Sequence, residues 1–127
     1  MKIVNNNLSD EQNHILKGKG TEQPYSGELL YNKETGTYQC ANCHSDLFDS
    51  TSKFDSGTGW PSFDSAIPGS IKDVEDNSHG MRRTEVVCSV CGGHLGHVFN
   101  DGPKETTGMR YCINSLALNF DKKENKE

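Results

Sequence analysis

A chain of 127 residues fits a single domain, taken here as 1–127. Apolar residues make up 31%, or about 41% with the 13 glycines, against ~45–50% for typical globular chains. The core is therefore lean, and a disulfide or metal staple is expected. A net charge of −5 with no evident basic face excludes non-specific nucleic-acid binding driven by electrostatics.

The opening "MKIVNNNLSDEQ" lacks the apolar centre of a secretory signal, and no apolar run approaches the ~20 residues of a membrane span. A cytoplasmic, reducing setting is expected, without membrane or nucleic-acid partners. Cysteines in such a setting bind metal or do chemistry more often than they form disulfides. Residues 1–8 read as a flexible end.

"LSDEQNHILKGKG" predicts a short helix, with Ser9 as cap, Gln12 at the capping-box position and Gly18 and Gly20 closing it. Beyond it the chain breaks into short β-like runs. "GELLYNKETGTYQC" reads as a hairpin turning near Glu34-Thr35-Gly36, and "SIKDVEDNSHGMRRTEVVC" as a second turning near Asn77 to Gly80. "GHVFNDGP" and "GMRYCINSLALNF" supply one further strand each, and the charged end, 121–127, reads as flexible. The result is a mainly β, mostly antiparallel domain.

Four of the five cysteines come in pairs, "CANC" (Cys40, Cys43) and "CSVC" (Cys88, Cys91). Two CxxC knuckles predict a tetrahedral zinc site with four thiolate ligands, one structural ion per chain. The 44 residues between Cys43 and Cys88 exceed the ~15–20 of a compact zinc ribbon. The ion would therefore clip the ends of a long β insertion. Redox chemistry of the thioredoxin kind needs a βαβ setting, which is missing. His44 reads as a bystander.

Cys112 stands alone in "GMRYCINS". Strand alternation groups Arg110, Cys112 and Asn114 on one face and the apolar Met109, Tyr111 and Ile113 on the other. A cation, a thiol and an amide suit the lining of a polar site, and a nearby guanidinium favours the nucleophilic thiolate. The competing reading is a buried structural cysteine. In "GGHLGHVFNDGP", His94 and His97 are three apart and would point to opposite faces unless Gly96 breaks the alternation. Trp60 and Phe63, in the Gly/Pro-rich "SGTGWPSF", are either a lid on the core or an apolar wall for a small ligand.

Together "CANC", "SGTGWPSF", "CSVC", "GGHLGHVFNDGP" and "RYCINS" resemble the B family of methionine sulfoxide reductases, from about Ser9 to Phe120. The resemblance implies two antiparallel sheets packed at an angle, with zinc on the side away from Cys112. It also implies reduction of methionine (R)-sulfoxide through a sulfenic acid on Cys112. Trp60 would meet the S-methyl group, with Phe63, Asp101 and Arg110 also in the substrate site. His97, with His94, would hold and protonate the sulfoxide oxygen, and Asn114 would hold substrate or a nearby water. Many members carry a resolving cysteine where Thr58 stands here. The implied cycle therefore uses one cysteine, regenerated by thioredoxin or another external thiol; a monomer is expected. The alternative is a zinc-ribbon-like binding module without catalysis.

Overall fold

The computed structural model describes residues 1–123, so the end of the charged tail, 124–127, lies outside the described residues. The predicted helix forms as α1 (Asp10–Leu16). The Ser9 hydroxyl accepts from the Gln12 N–H while the Gln12 side chain accepts from the Ser9 N–H, a reciprocal capping box. Its buried residues, Ile15 and Leu16, join the core.

Nine strands follow among the described residues: β1 (Gly36–Cys40), β2 (Asp46–Asp49), β3 (Lys53–Phe54), β4 (Ser62–Phe63), β5 (Ile71–Asp76), β6 (Arg83–Cys88), β7 (His94–Phe99), β8 (Arg110–Ile113) and β9 (Leu118–Lys122). They make two antiparallel sheets, one ordered β2-β1-β9 and the other β3-β4-β8-β7-β6-β5. Aromatic rings fill the space between them. Phe63 of β4 stacks on Phe48 of β2 at 4.3 Å, and Tyr38 of β1 meets Phe63 edge-on at 5.0 Å. Such offset and edge contacts add to the area these rings bury.

The second predicted hairpin is present as β5–β6, in register from Ile71 opposite Cys88 to Asp76 opposite Arg83. The first is not. Residues 27–32 form successive turns instead, Leu30 N–H to Gly27 C=O and Asn32 N–H to Leu29 C=O, and β1 pairs with β2 and β9. The Leu29 N–H donates to Ser115 Oγ and Lys53 Nζ donates to the Leu30 carbonyl. Side-chain partners thus satisfy the backbone groups that a hairpin would have paired. The single strand expected over "GMRYCINSLALNF" is two. A 3-10 turn at Ser115–Ala117 carries the chain from β8 in the large sheet to β9 in the small one.

Both ends expected to be flexible are held where they are described. Lys2 N–H donates to the Cys91 carbonyl, and the buried Asn42 accepts from Val4 and Asn5 N–H while donating to the Lys2 carbonyl. Asp121 and Lys122 pair with Thr37 and Gly36. The Asn42 side chain in the first knuckle, the Cys91 carbonyl in the second and the open edge of β1 recruit these polar segments whatever their composition.

Candidate active site and metal centre

β8 lies between β4 and β7, which sets Cys112 opposite Ser62 on one side and His97 on the other. The predicted alternation holds: Ile113 is fully buried, whereas Arg110, Cys112 and Asn114 line one cavity of about 250 Å³. Trp60, Thr58 and His97 complete its principal walls. Burial pushes the Cys112 thiol up, against the pull of the Arg110 guanidinium. That guanidinium is committed elsewhere. Its Nε and Nη2 grip Asp101 at 2.8 and 3.2 Å, and it lies 4.5 Å from the Phe99 ring centre.

Trp60 leaves a loop in which Gly57 and Gly59 both have left-handed φ, 72° and 95°. A side chain at Gly59 would strike Pro24 at 2.7 Å. That close approach lets residues 21–25 strap the loop down. Tyr25 N–H donates to the Gly59 carbonyl at 2.7 Å, and Trp60 Nε1–H donates to the Glu22 carbonyl at 3.0 Å.

The two histidines converge through a break in the alternation, which falls at Leu95, one residue before the expected Gly96. Val86 faces Gly96 but Val87 faces His94, so Leu95 is an extra residue on β7. This bulge swings His94 round to within 5.4 Å of His97, ring centre to ring centre. Gly96 is obligatory beside it, since a Cβ there would sit 2.0 Å from the Cys112 carbonyl oxygen. His97 Nε2 lies 2.8 Å from Asp76, and His94 Nδ1 lies 2.7 Å from the buried Glu85. His97 lines the cavity; His94 sits behind it, its Nε2 buried without a partner.

Burial holds His94 below the usual histidine range, although Glu85 pulls the other way. The contribution of this neutral imidazole to stability is complete above the unfolded value of about 6.5 and is lost as pH falls through the window below it. Urea unfolding of wild type and His94→Gln at pH 7.5 and 5.5 checks this. Wild type should lose more stability on acidification than the variant; equal losses would exclude the effect. Comparing the two proteins at the same measured metal content isolates His94.

Other expected residues fall differently. Phe63 is fully buried between the sheets and belongs to the core, because β4 turns it towards Phe48 and Tyr38 and away from the cavity. Asp101 reaches the site only through Arg110. The Asn114 amide is bonded at both ends, accepting from Glu22 N–H at 3.0 Å and donating to the Leu95 carbonyl at 3.0 Å. Asp76, Arg83, Glu85, Thr21 and Glu22 were not foreseen. Opposite charges facing each other across the predicted β5–β6 hairpin could have flagged Asp76 and Arg83. Nothing local in the sequence showed that this hairpin end would stand beside His97.

The remaining four cysteines gather as the spacing predicted. Their sulfurs all lie within 4.8 Å of one another, with Cys40 3.7 Å from Cys91 and Cys43 3.5 Å from Cys88. Four sulfurs bound at ~2.3 Å in a tetrahedron would lie about 3.8 Å apart, so the cluster can hold a metal ion. The knuckles are built alike. His44 N–H donates to the Cys40 carbonyl and Gly92 N–H to the Cys88 carbonyl, each at 2.9 Å and each from left-handed backbone. Cys112 is outside this cluster, beyond the far end of the His94–His97 stretch that leaves the second knuckle. No helix among the described residues is long and apolar enough to cross a membrane.

A half-buried lone thiol facing a tryptophan and a carboxylate-held histidine is the layout of a cysteine-dependent enzyme. A profile of the SelR domain matches residues 8–122. The chain is 60% identical over 118 residues to the peptide methionine sulfoxide reductase MsrB of Methanosarcina mazei, covering 92% of this chain and 84% of that one. It is 58% identical to the protein of the same name from Methanosarcina barkeri, with 92% and 82% covered, and 55% identical to that from Leptospira interrogans, with 91% and 88% covered. The crystal structure of a Mis18 "Yippee-like" domain shares the fold, with a TM-score of 0.56 at 20% identity over 72% of this chain and all of that one. The chain belongs to the MsrB family of methionine sulfoxide reductases, which are oxidoreductases.

Proposed function

We propose that the protein, as a monomer, reduces methionine (R)-sulfoxide to methionine, in proteins and peptides and also as the free amino acid, with Cys112 as nucleophile. The observation that carries this reading is one cavity walled by a thiol, an indole and an imidazole. A sulfoxide needs just these three: a nucleophile for sulfur, an apolar wall for the methyl group and a proton source for oxygen.

Cys112 Sγ attacks the sulfoxide sulfur while His97 hydrogen-bonds the oxygen and aids its protonation, with Asp76 fixing the imidazole through Nε2. His94 supports His97 from behind. The oxygen passes to Cys112, methionine leaves, and the thiol becomes a sulfenic acid, so two electrons move from cysteine sulfur to substrate. An external thiol then condenses with the sulfenic acid, releasing water and forming a mixed disulfide. A second thiol frees Cys112 and leaves as disulfide. Thioredoxin supplies both thiols in one molecule, and a cytoplasmic setting suits it and the five unpaired cysteines. Arg110 and Asn114, both fixed by their own partners, shape the polar wall.

A zinc ion would be held by Cys40, Cys43, Cys88 and Cys91. Four thiolates would complete its shell and leave no open position for substrate, so its contribution would be structural. Turnover of the separate R and S epimers of a blocked methionine sulfoxide with dithiothreitol tests the proposal. Activity on R alone is expected. Inactivity on both, with fold and metal intact, would leave the zinc-module reading in its place.

A further inference from the structure

Behind Cys112 runs a row of hydroxyls that the mechanism above does not use, its near end, Thr58, lining the cavity. Ser62 Oγ is 3.1 Å from the Trp60 carbonyl, Ser56 Oγ is 2.7 Å from Ser62 Oγ, and Thr58 Oγ1 is 2.7 Å from Ser56 Oγ. Thr58 Oγ1 in turn lies 3.9 Å from Cys112 Sγ. Each hydroxyl has one proton to donate. A carbonyl only accepts, so the Ser62 proton goes to Trp60. Ser56 must then donate to Ser62, and Thr58 to Ser56. Thr58 is left with only lone pairs for the sulfur, and the one proton available for that contact is on the thiol itself.

We infer that Ser62, Ser56 and Thr58 form a polarised hydroxyl relay that holds Cys112 as a thiol in the resting enzyme and sets the pH at which it becomes the thiolate. The inference rests on Cys112 being the nucleophile, as proposed above. Ser62 is buried and is the strand partner of Cys112, so the relay is anchored on the adjacent strand as well as on the strapped loop. The charged groups around the thiol are Arg110 on its own strand, His97 on β7, Arg83 across the cavity and Glu22 in the strap. Arg110 favours the thiolate, but Asp101 holds it, and Glu22 opposes it. A Thr58 hydroxyl that donated to the sulfur would pull the thiol down; with its proton committed to Ser56 that pull is absent, and burial prevails. A thiol is oxidised far less readily than a thiolate. Such restraint protects a nucleophile that has no cysteine partner within reach.

The test is the pH dependence of Cys112 alkylation by iodoacetamide in the metal-loaded protein, with the modified residue assigned by peptide mapping. Ser56→Ala removes the acceptor for the Thr58 proton, which can then turn to the sulfur and stabilise the thiolate by a charge-assisted hydrogen bond. The midpoint should fall by about one pH unit, making alkylation about tenfold faster below it. Ser62→Ala, which frees the Ser56 proton to reverse the chain, should move the midpoint the same way and serves alone if Ser56→Ala does not fold. An unchanged or higher midpoint in the folded variant overturns the relay, because a chain that donated to sulfur in the wild type would lose its support. Alkylation reads the thiol without substrate. Failure of the relay therefore leaves the reductase reading standing, whereas absence of sulfoxide turnover in the wild type would strike that reading alone.

Discussion

Cys112→Ser should abolish reduction of methionine (R)-sulfoxide, by more than about a thousandfold in kcat, while the protein keeps its fold and metal. The size of the effect follows from the chemistry. A serine hydroxyl is not appreciably ionised at neutral pH and cannot exchange oxygen with a sulfoxide through a sulfenic acid. The other cysteines offer no bypass, because their four sulfurs are drawn together in the knuckles and Cys112 is not among them. Stability should change little, since the substitution is close to isosteric and Cys112 is only half-buried. Steady-state turnover with dithiothreitol, beside a thermal melt, makes the measurement. Peptide mapping of the wild type oxidised by substrate should show a sulfenic acid or a mixed disulfide on Cys112. An intramolecular disulfide to a knuckle cysteine, with metal retained, would sink the one-cysteine cycle.

Removing the metal should unfold the domain. Cys40 ends β1 of the small sheet and Cys88 ends β6 of the large one, so an ion held by both joins the two layers. Structural zinc sites carry apparent binding free energies of about 10–16 kcal/mol, comparable to or larger than the ~5–15 kcal/mol stability of a whole domain. The lean composition leaves little to replace it. Chelation at neutral pH, or Cys88→Ser, should therefore abolish the cooperative thermal transition seen by circular dichroism. Survival of that transition at an unchanged Tm would mean that the aromatic stack of Tyr38, Phe48 and Phe63 holds the sheets together unaided.

Much of this protein is written locally in its sequence. Ser9 and Gln12 specify the helix start because a capping box closes within four residues. The β5–β6 hairpin, the two knuckles and the alternation around Cys112 are equally short-range, and each reads directly from spacing. The family, too, was legible from five short motifs.

The tertiary structure decided what spans the chain. Whether Phe63 faces ligand or core depends on which sheet covers β4, and Phe48 lies 15 residues away. The turns over 27–32 depend on Ser115 and Lys53 to take up backbone groups that a hairpin would have paired. The need for a break at Gly96 was visible, but the bulge and the carboxylates that receive each histidine come from the register between β6 and β7 and from the far end of β5. The segments 1–8 and 121–122 look solvent-loving in isolation and are held by distant partners, the first by the knuckles through Asn42 and the Cys91 carbonyl, the second by the backbone of β1. Residue type and spacing fix which groups can react. Long-range pairing, which no local pattern encodes, fixes which of them meet.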